Sequence, residues 1–493
     1  MEDNPTSFFS MKEQIHRLFF LLIPFLVFST GKLFAQVPDN NIRILYFNDA
    51  HELSPVKTEV GYIGGVSRMK TLIDSIKKKT PNTLVLFGGD LAGGTLGGKL
   101  FRGSVMVEAL NTFPIDFANF GQHEFDYGLA NANKLVSSSA FKWFTSNIKR
   151  DNGERIANTC TYIIREIGDF KIGIIGLTDK INTSKPTFGV KQTDIMQAAQ
   201  KMLKKIENVD MIVAVTQMDM KLNEELLRKN PQIKLILTEE TSQYKTETQF
   251  IGNSLIVAAC GNMGQLIEVS LRKKNNIRLS VYNVDDKIKP NVQLEAYVKA
   301  KTLIAEQQLS QILITIESES GNNLTGNIIA DAYKESYGTQ IGIINGGGVR
   351  ADFSNDKVTV KDVYSALPFE NFIIPVRITG REVKAVIDSA LQRLPPYVSG
   401  ISYEIAQNNK GVNELKNVYF ENRAIQDNEI YTVSMPDYIV LGGGNFSAIP
   451  ETKWINPLKD CEVDASIVID YLKKHPRLNI PTSNRVEWTK IID

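Results

Sequence analysis

Ile42-Arg43-Ile44-Leu45-Tyr46-Phe47-Asn48-Asp49-Ala50-His51 is an apolar, β-rich run that ends abruptly in an amide, a carboxylate and an imidazole. The same grammar returns along the chain. Thr83 to Phe87 runs into Gly88-Gly89-Asp90, Phe117 to Phe120 into Gly121-Gln122-His123-Glu124-Phe125-Asp126, Lys171 to Leu177 and Met211 to Thr216 follow, the latter ending at Gln217, and Lys234 to Leu237 runs into Thr238-Glu239-Glu240-Thr241-Ser242. Short continuous apolar strands alternating with helical stretches predict an α/β fold whose sheets are covered by helices. Polar residues just past each strand matter because ligand sites in such folds form where the carboxyl ends of several strands converge.

Working outward, 493 residues exceed one ordinary hydrophobic core, so two domains are expected. With 43% apolar and 23% charged residues the chain reads as globular rather than disordered or membrane-embedded. A formal net charge of +1 with scattered basic residues excludes a field that would steer it onto a nucleic acid polymer, so any anion must be gripped locally. Three distant cysteines, Cys160, Cys260 and Cys461, exclude a disulfide framework and a thiolate cluster while leaving room for one bridge. Lys12 and Arg17 precede the apolar run Leu18 to Phe28 and the polar break Ser29-Thr30-Gly31-Lys32, a signal-peptide layout too short for a stable membrane span. Cleavage after Ala35 would leave a soluble exported protein, periplasmic or extracellular, beginning near Gln36.

The N-terminal loops gather carboxylates, imidazoles and amides, the donors that hold divalent metal. Taken alone, Asp49 with His51 is equally a strand-end turn beside a satisfied histidine. Of the chain's four histidines, however, two fall in these loops, at His51 and His123, while His475 sits in a charged surface stretch. Asp90, on a glycine-flanked turn, is the natural carboxylate to bridge two ions. Val292 to Ile314, with helical spacing and no glycine or proline, predicts a connecting helix. Beyond it, Asn345-Gly346-Gly347-Gly348-Val349-Arg350 places a guanidinium at the end of a loop whose backbone can approach a phosphate closely, although a turn with a surface arginine is nearly as good a reading.

Together the N-terminal loops resemble the N-D-x-H, G-D-x-x-x-G-S/T and G-N-H-E-F-D-x-G motifs of the metallophosphoesterase/5′-nucleotidase family, of the 5′-nucleotidase and periplasmic UDP-sugar hydrolase type. The resemblance runs from about Ile42 almost to the C-terminus. It implies an N-terminal metallophosphoesterase four-layer αββα sandwich over 37–288, a linker helix over 289–314 and a C-terminal 5′-nucleotidase substrate-binding α/β domain over 315–493, behind a signal-peptide region at 1–36. It assigns catalysis to His123 and Asp126, and metal ligation to Asp49, His51, Asp90, Gln122, Gln217 and Glu240. In the second domain it points to Phe369 and Tyr438 as aromatics that sandwich a base, with Asn345, Arg350, Asn371 and Asn445 on the remaining polar groups of the ligand. Interdomain rotation would deliver the substrate.

The departures from the family pattern are chemical. Gln122 replaces an asparagine ligand, Gln217 stands where the family has histidine, and Glu240 and Ser242 occupy the two histidine positions of a G-G-H-x-H motif. A ribose-binding aspartate corresponds to Gly444, with Asn445 beside it, and an arginine position falls at or near Gly321. With imidazole nearly gone, the shell is oxygen-rich and suits Mn²⁺ or Mg²⁺ better than a tight zinc pair. The implied function is an exported 5′-nucleotidase-like hydrolase of nucleotides in which metal-bound water attacks phosphorus. Two other readings stay open: a weakly active or inactive nucleoside-binding protein on the same fold, and a hydrolase of a different phosphoester.

Overall fold

The computed structural model describes residues 42–59, 61–93, 96–168, 170–181, 189–272, 276–315, 324–353, 357–407, 412–477 and 485–490. The expected signal-peptide region and Gly321 lie outside them. Among the described residues no helix is long and apolar enough to cross a membrane.

Ile42–Phe47 sits inside a seven-stranded sheet, parallel to Thr83–Phe87 and antiparallel to Gln265–Arg272. A second, six-stranded sheet runs Phe170–Thr178, Met211–Gln217, Ile233–Ser242 and Ser254–Cys260 in parallel. Strand alternation divides the side chains. Ile42, Ile44 and Tyr46 join Ile172, Ile174, Val213 and Leu235 in a core between the two sheets. Leu45 and Phe47 face the other way, into a core with Met69, Met106 and Leu135 from helices. Ile175, Ala214 and Ile236 likewise pack on Ala198, Met202 and Leu226. Helices, sheet, sheet and helices make the four-layer αββα sandwich, and burial of each sheet on both faces explains the unbroken apolar runs.

The connecting helix spans Val292–Leu309 and docks Leu294 and Val298 on the first of these helical cores. It stops short of the expected Ile314, because Ile312–Thr315 forms a strand paired with Lys357–Thr359; β-branched Ile312 and Ile314 fit a pleated edge better than a helix. The C-terminal part is α/β. One of its four-stranded sheets orders Ile373–Thr379, Ile430–Pro436, Ile341–Ile344 and Tyr397–Ser399. Helix Leu324–Ser336 lies so close to that sheet that a Cβ on Gly342 would stand 2.1 Å from the Ala330 carbonyl oxygen. Ile341–Ile344 delivers Asn345 to its carboxyl end, as the parallel strands of the first part deliver Asp49, Asp90 and Gln217. Cys160, Cys260 and Cys461 are free thiols.

Candidate active site

The loops at the strand ends are bent to present acids. Asp49 and Asp90 adopt left-handed backbone, φ 55 and 62, although neither is glycine. Such conformations cost about 1–3 kcal/mol each and persist only where the surroundings enforce them. Here Asp49 N–H donates to the Gly89 carbonyl at 3.1 Å and Ala50 N–H to the Asp90 carbonyl at 2.7 Å. Gly89, at φ 113, brings its loop against the next one, where a Cβ would lie 2.3 Å from the Gly121 nitrogen. The fastener is Glu124: its carboxylate accepts from the backbone N–H of Leu91 at 2.7 Å, Asp90 at 3.2 Å and Gly121 at 2.5 Å. Asp90 Oδ1 in turn accepts from His123 N–H at 2.9 Å.

Around this frame His51 Nε2 lies 3.1 Å from Asp49 Oδ1, and His123 Nδ1 lies 2.8 Å from Asp126 Oδ2. The two imidazoles meet edge to face at 5.1 Å. Donor atoms of His51, Asp90 and His123 all lie within 4.8 Å of one another, a spacing that fits one metal ion. Across the same loops Gln122 Nε2 donates to Glu239 at 3.2 Å and Asn48 Nδ2 to Glu240 at 3.1 Å. Gln217 Nε2 donates to the Gly88 carbonyl at 3.2 Å. Ser242 accepts from Tyr244 N–H within its own turn at 3.2 Å. The buried oxygens Gln217 Oε1 and Asn48 Oδ1 have no donor, and such orphans cost about 1–3 kcal/mol apiece. The His51 imidazole, clustered carboxylates and undonated amide oxygens are a donor set that fits a hard divalent cation.

The electrostatics agree. Burial and the charge on Asp90 push Glu124 up to about 8 and Glu239 up to about 7, and burial with the charge on Asp49 pushes Glu240 up to about 8. Burial also raises Asp49, against the lowering pull of His51 and of Asn262 N–H, which donates to its Oδ2. At His123 burial alone would lower the pKa, but the bond to Asp126 and the charges on Asp90, Asp126 and Glu124 outweigh it and hold the ring at about 9. Without a metal, these carboxylates favour the protonated form of the His123 ring, which Asp126 anchors.

A cavity of about 680 Å³ opens from His123 and Asp126 onto the second part of the chain. It is lined there by Asn345, Arg350, Phe369, Asn371, Tyr438 and Asn445, so all eight residues expected to touch substrate share one space. Phe369 and Tyr438 are large aromatics left 50% and 39% exposed. The Arg350 guanidinium lies 5.9 Å from the Phe369 ring centroid. Gly443 and Gly444 make room for Tyr438: a Cβ would stand 2.5 Å from its ring at the first and 2.7 Å from its hydroxyl at the second. The six expected metal positions lie in the loop cluster beside this cavity.

Several functional contacts escaped sequence reading. Glu239 enters the cluster because the pairing of Ile233–Ser242 with Ser254–Cys260 slips between Thr238 and Ser242; a regular strand would have pointed Glu239 and Glu240 to opposite faces. Arg393 and Lys99 add cations to the cavity wall. Lys99 donates to the Pro368 carbonyl, and the Tyr127 hydroxyl to Glu370 at 3.1 Å, tying the two parts together around it. Arg393, two residues past helix Gly380–Leu391 and just before Pro395-Pro396, carried only a weak signal: a cation on a loop.

Residues 42–238 match the model of calcineurin-like phosphoesterases, and residues 305–451 match that of the 5′-nucleotidase C-terminal domain. The chain is 25% identical to the NAD 5′-nucleotidase of Haemophilus influenzae over 95% of its own length and 96% of that protein's. It is 24% identical to the trifunctional nucleotide phosphoesterase YfkN of Bacillus subtilis, of which it covers 34% while matching over 88% of itself, so it spans about a third of that relative. The crystal structure of the 5′-nucleotidase precursor from Thermus thermophilus shares the fold, with a TM-score of 0.58 at 22% identity, over 91% of this chain and 99% of that one.

The raised acids set a pH dependence. Glu124, Glu239 and Glu240 bind protons more tightly folded than unfolded, as does His123, so in metal-free protein their stabilising contribution is complete below their unfolded values and is lost as pH rises through about 7 to 9. In chelator, the melting temperature is expected to fall by at least about 5 °C between pH 5 and pH 9. Added Mn²⁺ should restore it, and more at pH 9 than at pH 5. A melting temperature flat with pH and indifferent to Mn²⁺ would contradict the charge cluster.

Proposed function

Since the chain belongs to the metallophosphoesterase/5′-nucleotidase family, joining a calcineurin-like phosphoesterase part to a 5′-nucleotidase C-terminal part, we propose that it hydrolyses the phosphoester of nucleotides in the cavity at the junction of these two parts. The observation that carries this reading is the shared cavity. An imidazole anchored by a carboxylate, a guanidinium and two half-exposed aromatics face the same cavity of about 680 Å³.

In this reading Asp49, His51 and Asp90, with Gln122, Gln217, Glu240 and the neighbouring Glu239, would hold a divalent metal. When bound, such an ion supplies positive charge opposite the phosphoryl oxygens as the transition state develops. The oxygen-rich shell favours Mn²⁺ or Mg²⁺ over a zinc pair. His123, kept protonated by Asp126, donates to a phosphoryl or leaving-group oxygen, and Asp126 fixes the ring so that this costs no reorganisation. Arg350 offers its planar fork to phosphate oxygens. Phe369 and Tyr438 stack on the base, which admits purine and pyrimidine alike. Asn345, Asn371 and Asn445 supply directed polar contacts. The leader-like run Leu18 to Phe28 supports an exported protein that works outside the cytoplasm, with domains 37–288 and 315–493 meeting across the helix between them.

A second reading, a nucleoside-binding protein of low turnover, is favoured by Gln217 donating to Gly88 and by Ser242 being occupied within its own turn. Phosphate release from a panel of nucleoside 5′-monophosphates separates the two. Stripped protein should be inactive, Mn²⁺ should restore turnover, and Asp90→Asn should remove it by at least about a hundredfold, the scale of losing one preorganised electrostatic group. Tight adenosine binding without release of phosphate from any monophosphate, under any divalent metal, would instead establish the second reading.

Exposure of the aromatics makes a further prediction. Phe369→Ala and Tyr438→Ala should each weaken nucleoside binding by about 1–3 kcal/mol through lost stacking. The melting temperature without ligand should stay put. An equal loss of stability with affinity unchanged would mark both rings as packing residues.

A further inference from the structure

Behind the cavity wall lies a carboxylate that the proposed chemistry leaves unused. Asp464 opens helix Asp464–Lys474 and is completely buried. Its Oδ2 accepts from both the backbone N–H and the side-chain Nδ2 of Asn371, each at 3.1 Å, and its Oδ1 accepts from Ala465 N–H at 2.7 Å. The backbone returns the contact, Asp464 N–H donating to the Asn371 carbonyl at 2.8 Å. Phe372 and Val463 continue it as a β-bridge. Asn371 is thus held at main chain and side chain by one residue that does not itself line the cavity.

The consequence is directional. An asparagine side chain has one donor end and one acceptor end. Here one of the two amide N–H groups is committed to a carboxylate behind the wall, which turns the nitrogen end toward Asp464 and leaves the oxygen as the end turned away from it, an acceptor that repels phosphate.

We infer that Asp464 is a positioning residue that holds Asn371 with its amide oxygen toward the cavity, making this point of the wall a receptor for a hydrogen-bond donor of the nucleoside, either a ribose hydroxyl or an exocyclic amine, rather than for the phosphate. The inference rests on the nucleotide reading above and sharpens it. Arg350 and Arg393 present cations to the same cavity and Asn371 an acceptor, so the wall sorts the anionic part of a ligand from its neutral, donor-bearing part. Ligands lacking a donor at this point leave a dehydrated oxygen unpaired and are rejected for that reason.

Calorimetric binding to the full chain tests it, with adenosine, 2′-deoxyadenosine, 3′-deoxyadenosine, purine riboside and inorganic phosphate as probes. In the unmodified protein one of the three nucleoside analogues should bind about tenfold more weakly than adenosine, the loss expected for one hydrogen bond, and so identify the donor. Asp464→Ala should lose the same factor on adenosine, lose nothing more on that analogue, and leave phosphate within about twofold. Asp464→Asn keeps a side-chain carbonyl for the Asn371 amide to donate to and should recover most of the affinity, while Asn371→Ala should reproduce the selective loss even if Asp464→Ala fails to fold. Loss on every probe alike, phosphate included, or a lowered melting temperature with unchanged discrimination among the analogues, overturns the inference while leaving the nucleotide reading intact. Absence of any nucleoside binding by the unmodified protein overturns both.

Discussion

Like charge forced into one dehydrated loop cluster is the constraint on which the rest of this structure depends. Asp49, Asp90 and Glu124 are buried at the strand ends, and Glu239 and Glu240 crowd in from the neighbouring sheet. One of the five is also structural: Glu124 collects three main-chain N–H groups and fastens two loops. Asp49, Glu124, Glu239 and Glu240 have raised proton affinities that report burial and mutual repulsion. A divalent cation would relieve that repulsion, and the strained left-handed turns at Asp49 and Asp90 hold both acids at the strand ends.

From this centre the architecture follows outward. Parallel strands buried on both faces bring their carboxyl ends to one edge, and His123 with Asp126 stands where that edge meets the second part of the chain. The loop Pro368-Phe369-Glu370-Asn371 is the hub of the meeting. Pro368 accepts from Lys99 and Glu370 from Tyr127, while Phe369 and Asn371 face the cavity. Glu370 itself holds a left-handed backbone, φ 53. One short loop therefore carries both the contacts that join the two parts and the contacts that would hold a nucleoside, a coupling suited to closure around substrate.

The sandwich was legible in the sequence because each buried strand is an unbroken apolar run with its chemistry placed just beyond it. Asp49, His51, Asp90, His123 and Asp126 were legible for the same reason. Glu239 was not: its entry depends on a slip in strand pairing that no local pattern announces. Lys99, Arg393 and Asp464 were invisible for a different reason, since their partners lie far off in the chain and an isolated lysine, arginine or aspartate on a surface-like stretch carries no period. The end of the connecting helix was misplaced because Ile312 and Ile314 satisfy helical spacing as well as a strand, and only their pairing with Lys357–Thr359 decides between them.

The substitutions of Gln217, Glu240 and Ser242 for imidazole separate this chain from the pattern it otherwise resembles. They move the loop cluster toward oxygen donors, and Glu240 adds a carboxylate, which is why a hard cation is the expected occupant. Anomalous diffraction from crystals grown with Mn²⁺ tests that claim most directly. A manganese peak bonded to Asp90 between His51 and His123 is expected, with the amide oxygen of Gln217 turned toward the ion. Crystals that show no peak there at saturating Mn²⁺, with the acids paired only to protein groups, would contradict it.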